Sequence, residues 1–81
     1  MGLHWFYPPV CVKGDRAGVR YGITHVEGAS EHLLKWTKRG PKWNLAVRVC
    51  VAALADEVPP EEARKAFLAA AKEEKMFLPD V

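Results

Sequence analysis

Residues 42–56, KWNLAVRVCVAALAD, decide the fold. Read with a period of two, Leu45, Val47, Val49 and Val51 alternate along a strand, and their β-branched majority favours that conformation. Read with a period of 3.6, Trp43, Ala46, Val47, Cys50, Ala53 and Leu54 fall on one stripe. The run is longer than a typical strand. Pro41, just before it, suits the first helical position, where a missing N–H leaves no bond unmade. We therefore read a helix over 42–56. Being apolar almost all round, it is expected to be the central and most buried helix.

Upstream, VCV (10–12) and VRYGIT (19–24) alternate, with turn-forming KGDRAG between them. Val10 and Val12 share one face, as do Val19, Tyr21 and Ile23, so a hairpin with one apolar side follows. Such a hairpin needs helices to cover it. THVE (24–27) reads as a capping box, with the Thr24 hydroxyl taking the Glu27 N–H and the Glu27 side chain reaching back. Val26, Ala29, Leu33 and Trp36 then form a helical stripe that ends before Gly40-Pro41. Downstream, Pro59-Pro60, then Glu61 and Glu62, open a helix with Lys72 and Lys75 near its end, as the helix dipole favours. Its buried stripe is Ala63, Ala66, Phe67 and Ala70, and such small residues let two helix axes approach closely. Residues 76–81 are a frayed tail or a short strand, and residues 1–9 an aromatic arm. The predicted architecture is α+β, one small domain in the order β-β-α-α-α.

Four blocks carry a resemblance: PPVCV (8–12), EGASEHLLKW (27–36), RGPKWNLAVRVCVAAL (39–54) and PPEEARKAFLAAA (59–71). Together they resemble a family of small uncharacterised proteins from rhizobia and related alphaproteobacteria, known only as domain of unknown function 982. Its most specific parts here are Trp36 with the basic turn after it, the run from Ala46-Val47 to Cys50, and Ala63-Arg64 with Phe67. Family members tend to have proline after the tryptophan. This chain has Thr37, so the resemblance implies a first helix that ends less sharply. It implies a compact single domain and assigns no catalytic or binding residue.

Charge and cysteine content narrow the function classes. The net charge of +2 is too small to demand a polyanionic partner. It is unevenly spread: residues 1–48 hold eight Lys/Arg against three Asp/Glu, and 49–81 hold four against seven. That dipole suits steering of a partner, or head-to-tail attraction between copies. Cys11 and Cys50 form neither a disulfide framework nor half a zinc site. There is no basic-then-apolar leader and no run of about 18 apolar residues for a membrane span. Phe6 stands where a myristoylation signal has Ser or Thr. A cytoplasmic chain with reduced thiols and no membrane partner is expected.

Lys35, Lys38, Arg39 and Lys42 interleave with Trp36 and Trp43, which suggests phosphate contacts beside a base-stacking platform. A structural corner explains the same residues: cations at a helix C-terminus, and two indoles closing a turn. We prefer the corner, with nucleic-acid binding as the alternative. Cys50 reads as inert core and Cys11 as more accessible. His25 and His32 stand about 10 Å apart along a helix, too far for easy chelation of one ion even with His4 or Cys11. No metal or other cofactor is expected. Arg48, the lone charge among apolar neighbours, reaches solvent or pairs with Glu57, Glu61 or Glu62. Trp5, Phe6 and Tyr7 are consecutive, so they cannot all face one core in an extended chain. They cover a second copy or lie on the domain. With no catalytic constellation visible, the expectation is a non-enzymatic protein-interaction or regulatory module that forms a homodimer. Its candidate surface is Trp5, Phe6, Tyr7, Lys38, Arg39 and Lys42.

Overall fold

A computed structural model describes residues 3–14 and 18–78. The elements run β1 (Trp5–Lys13), β2 (Arg20–His25), α1 (Val26–Lys35), α2 (Pro41–Leu54) and α3 (Pro60–Glu73). This is the predicted hairpin followed by three helices, an α+β arrangement. Of the predicted KGDRAG turn, residues 15–17 lie outside the described residues, as do 1–2 of the arm and 79–81 of the tail.

β1 starts earlier than the alternation suggested, at Trp5 inside the expected arm. Trp5 pairs with His25 and Val10 with Ile23, so residues 6–9 lie opposite Thr24 alone. Pro8 and Pro9 have no N–H for a ladder, and the register breaks there. Val10, Val12 and Ile23 face the core, but Tyr21 on the same side is 40% exposed, its ring beside His32. The apolar face is therefore covered only over part of its length. On the other edge of β1 the chain returns after α3. Val12 bridges Phe77, the Lys13 N–H donates to the Met76 carbonyl at 2.8 Å, and the Leu78 N–H to that of Cys11 at 2.9 Å. The first part of the tail is thus a short strand-like partner, which shields an edge otherwise open to pairing.

The cap of α1 differs from the predicted box. His25, not Thr24, is the N-cap, and its Nδ1 accepts the Gly28 N–H at 2.8 Å. The Glu27 carboxylate turns away to His4, accepting its backbone N–H at 3.0 Å and meeting its Nδ1 at 2.6 Å. A partner 23 residues away outcompeted the local motif. The stripe of α1 is otherwise as read: Val26, Ala29 and Leu33 are fully buried and Trp36 nearly so. The helix ends sharply despite Thr37, because Trp36 turns to extended backbone and other side chains take over the last carbonyls.

α2 is a helix beginning at Pro41, but it is not the most buried one. It buries Trp43, Ala46, Cys50 and Ala53, while Leu45, Val51 and Leu54 are exposed. The central element is α3, which packs on α2, on α1 and on β1. It buries Ala63, Ala66, Phe67, Ala70 and Ala71, with Phe67 stacked on Trp36 at 5.5 Å between ring centres. Small residues from both helices line the α2–α3 contact, the most extensive between helices. Hydrophobicity alone misplaced the centre. A helix between two layers is buried whatever its composition, and one on the outside is not.

Both long helices stop in the same way. Asp56 adopts φ 62° and Lys75 φ 61°. The Asp56 N–H donates to the Ala53 carbonyl at 3.0 Å and the Glu57 N–H to that of Ala52 at 2.8 Å. At the end of α3, Lys75 reaches Lys72 at 3.2 Å and Met76 reaches Ala71 at 2.8 Å. Each is a Schellman turn whose left-handed position is usually glycine.

Candidate functional site

The corner between α1 and α2 is a capping device. The Trp43 Nε1–H donates to the Leu33 carbonyl at 2.7 Å. The Arg39 Nε–H donates to the Trp36 carbonyl at 3.2 Å and its Nη2 to that of Leu34 at 3.1 Å. These carbonyls belong to the end of α1, where a helix leaves such groups short of partners, and that of Leu33 also accepts the Trp36 N–H at 3.3 Å. The guanidinium also lies 4.6 Å from the centre of the Trp43 ring, a cation–π contact. Trp36 and Trp43 are both buried, Trp36 against Phe67 rather than against Trp43. Trp36 lines the cleft beside this corner, but with 6% of it and 9% of Trp43 exposed, neither indole presents a whole face to solvent.

The start of α2 has no side-chain cap of its own. It is seated by the end of α3: a Glu73 oxygen accepts the Lys42 N–H at 3.2 Å and a Glu74 oxygen the Gly40 N–H at 3.4 Å. Carboxylates at the positive end of a helix dipole are favourable there. A methyl group on Gly40 would lie 2.5 Å from Glu73 Oε2, so glycine leaves room for that carboxylate. Beside this corner, Lys13, His32, Lys35, Lys38 and Glu74 line a cleft of about 310 Å³. Lys38 and Lys42 are exposed.

The arm divides its aromatics. Phe6 is 4% exposed and joins the core, whereas Trp5 and Tyr7 are 59% and 81% exposed. Trp5 meets His25 edge to face at 5.2 Å. Just before it, His4 sits between two carboxylates, with Nε2 3.1 Å from Asp56 Oδ1 and Nδ1 against Glu27. The hydrogen bond to Glu27 is the main cause that raises the His4 pKa above the ordinary 6.5; Asp56 adds to it, and partial desolvation opposes it. Desolvation pushes Glu27 up, but the His4 backbone N–H and ring outweigh it and hold the carboxyl below 4.5. The arm is thereby clasped to the start of α1 and the end of α2. Trp5, Phe6 and Tyr7 are accordingly not brought together with Lys38, Arg39 and Lys42 into one surface by any contact.

Reading α2 as the central and most buried helix missed its outward face. Leu45, Arg48, Ala52 and Ala55 follow one another at spacings of three, four and three, which keeps them on one side of the helix. Val51 flanks them. Leu45 is 50% exposed, Val51 61%, and Ala55 is exposed. Arg48 is exposed and forms no ion pair with Glu57, Glu61 or Glu62. The sequence signal was Arg48 itself, a charge spaced so as to interrupt the apolar surface on the side opposite Cys50.

Cys50 is buried, and burial raises its thiol pKa while a hydrogen bond with Ser30 opposes the rise. Cys11 is half-buried, and both thiols are free. Among the described residues no three of His, Cys, Asp and Glu converge as metal ligands. Among them, too, no helix is long and apolar enough to cross a membrane.

The family model described as a protein of unknown function, DUF982, matches residues 8–78. The chain belongs to this family. No curated protein and no solved structure matches it. The matched DUF982 span holds β1 from Pro8, all three helices and the returning residues 76–78, and therefore the whole outward face of α2. His4, Trp5, Phe6 and Tyr7 precede it.

Proposed function

We propose that this DUF982 domain is a non-enzymatic interaction module of the bacterial cytoplasm that binds protein surfaces. The observation that carries the reading is the outward face of α2, where Leu45 and Val51 stand in solvent on a regular helix and Ala55 at its C-cap. A helix offering apolar side chains at such spacing fits a partner helix or groove. The exposed Trp5 and Tyr7 add a second apolar patch at the arm. The two free thiols suit a reducing compartment.

The test is affinity capture from the native cell with the wild-type chain and with Leu45→Lys/Val51→Lys, whose fold is checked by circular dichroism. Proteins held by the wild type and lost with the doubly substituted chain are expected. An identical set from both chains would refute the reading.

The cleft lined by Lys13, Lys35 and Lys38 favours a second reading, nucleic-acid or other polyanion binding. Against it stand the burial of both indoles and the use of Arg39 as a helix cap. Phosphate contacts weaken steeply with salt. Heparin retention that falls with salt and disappears in Lys35→Ser/Lys38→Ser would reverse the preference.

A further inference from the structure

We infer that the occupant of the α2 face is a second copy of the same chain, joined antiparallel about a two-fold axis near Ala52. This rests on the interaction-module reading and adds a partner and a register. Charge placement selects the second copy. Among the described residues Arg48 has no ion-pair partner, while Glu57, and Asp56 with its contact to His4, lie exposed just past the end of the same helix. Arg48 precedes Ala52 by four residues, about 6 Å along the axis, and the turn that holds Asp56 and Glu57 follows the helix end at Leu54 on the other side of Ala52. When two copies of α2 run antiparallel and cross at Ala52, each Arg48 therefore comes opposite the Asp56 and Glu57 end of the other. That end is also the negative end of the partner helix dipole. A parallel pair would instead set Arg48 beside Arg48, a repulsive contact.

Side-chain size agrees with the same register. Ala52 and Ala55 are small enough to bring two helix axes to about 8 Å, the short end of helix packing. Leu45 and Val51 flank the crossing and would lose their exposed area to the partner. The contact is self-complementary, as a two-fold interface must be. α2 spans only about 21 Å at 1.5 Å per residue, so the buried area falls below the roughly 800 Å² per partner of a standard interface. A micromolar dimer is the expected strength.

Two measurements test it together. In sedimentation equilibrium, the wild type should show a monomer–dimer equilibrium in the micromolar range. Arg48→Glu should raise its dissociation constant by about tenfold or more, and Arg48→Glu/Glu57→Arg should bring it back most of the way. In a Cys11→Ser background, Ala52→Cys should yield a disulfide-linked dimer under mild oxidation, because the residue sits at the axis. Glu31→Cys, on another helix, should not. If the wild type dimerises but Arg48→Glu changes nothing and Ala52→Cys fails to cross-link, the register is wrong while the interaction reading survives. If the wild type stays monomeric to about 0.5 mM, the second copy is ruled out as occupant. The capture comparison then decides the interaction reading by itself.

Discussion

α2 and α3 are equally long, 14 residues each, and opposite in character. α3 carries six charged residues in that length and α2 only Lys42 and Arg48. Yet α3 is the element on which the others pack, and α2 leaves leucine and valine in solvent. A narrow stripe of alanines with one Phe67 suffices to make a helix central when it faces two layers. A broad apolar surface does not, and what is left over on the outside of α2 is the most informative feature of the molecule. The composition of α2 exceeds what its own domain needs.

That contrast can be broken at its strongest point first. Phe67→Ala should cost about 3–5 kcal/mol in urea denaturation, enough to unfold most of so small a domain, because the cavity opens under Trp36. Leu45→Ala and Val51→Ala should each stay within about 0.5 kcal/mol of wild type in dilute monomer. Equal losses at the two helices would remove the distinction. Next, Trp43→Phe keeps an aromatic ring but deletes the donor to Leu33, and should cost about 1–2 kcal/mol by the same assay. A smaller loss would mean that α2 is held by contact area and not by its indole anchor.

Lys75→Gly removes the strain of a left-handed side chain at the end of α3 and should stabilise by about 1 kcal/mol, read as a higher melting temperature. The smallest effect concerns the His4 clasp at the far end of α2. His4 has a raised pKa, so its contribution is complete below 6.5 and is lost as pH rises through the folded value. Glu27 has a lowered one, so its contribution is present above 4.5 and is lost as pH falls through the folded value. The melting-temperature difference between wild type and His4→Ala should therefore be greatest between pH 4.5 and 6.5 and shrink on both sides. A difference flat from pH 4 to 9 would show that the clasp does not hold the arm.

Much of the fold was legible in local signals. Pro41 and the stripe from Trp43 to Ala53 identified a helix against a competing β alternation, and Ala63 to Ala70 gave the correct face of α3. What escaped were features made by distant residues. His4 drew Glu27 out of its capping box, and Glu73 and Glu74 supplied a cap that the first turn of α2 lacks. Asp56 and Lys75 end their helices in a conformation normally signalled by glycine, so nothing local marked those turns. The outward face of α2 was misread because apolar content was equated with burial. Its spacing of Leu45, Arg48, Ala52 and Ala55 was in the sequence, but which side of a helix meets its neighbours depends on the layers around it.

The pairing of Met76, Phe77 and Leu78 with the far edge of β1 carries a consequence for biosynthesis. The hairpin leaves the ribosome before the three helices, whereas the residues that close its second side are made after α3. Throughout that interval the nascent chain displays a strand with one row of amides and carbonyls unsatisfied. The proline pair at positions 8 and 9, where the register breaks, has no N–H to offer a wrong neighbour and so shortens the stretch of that edge that can be paired.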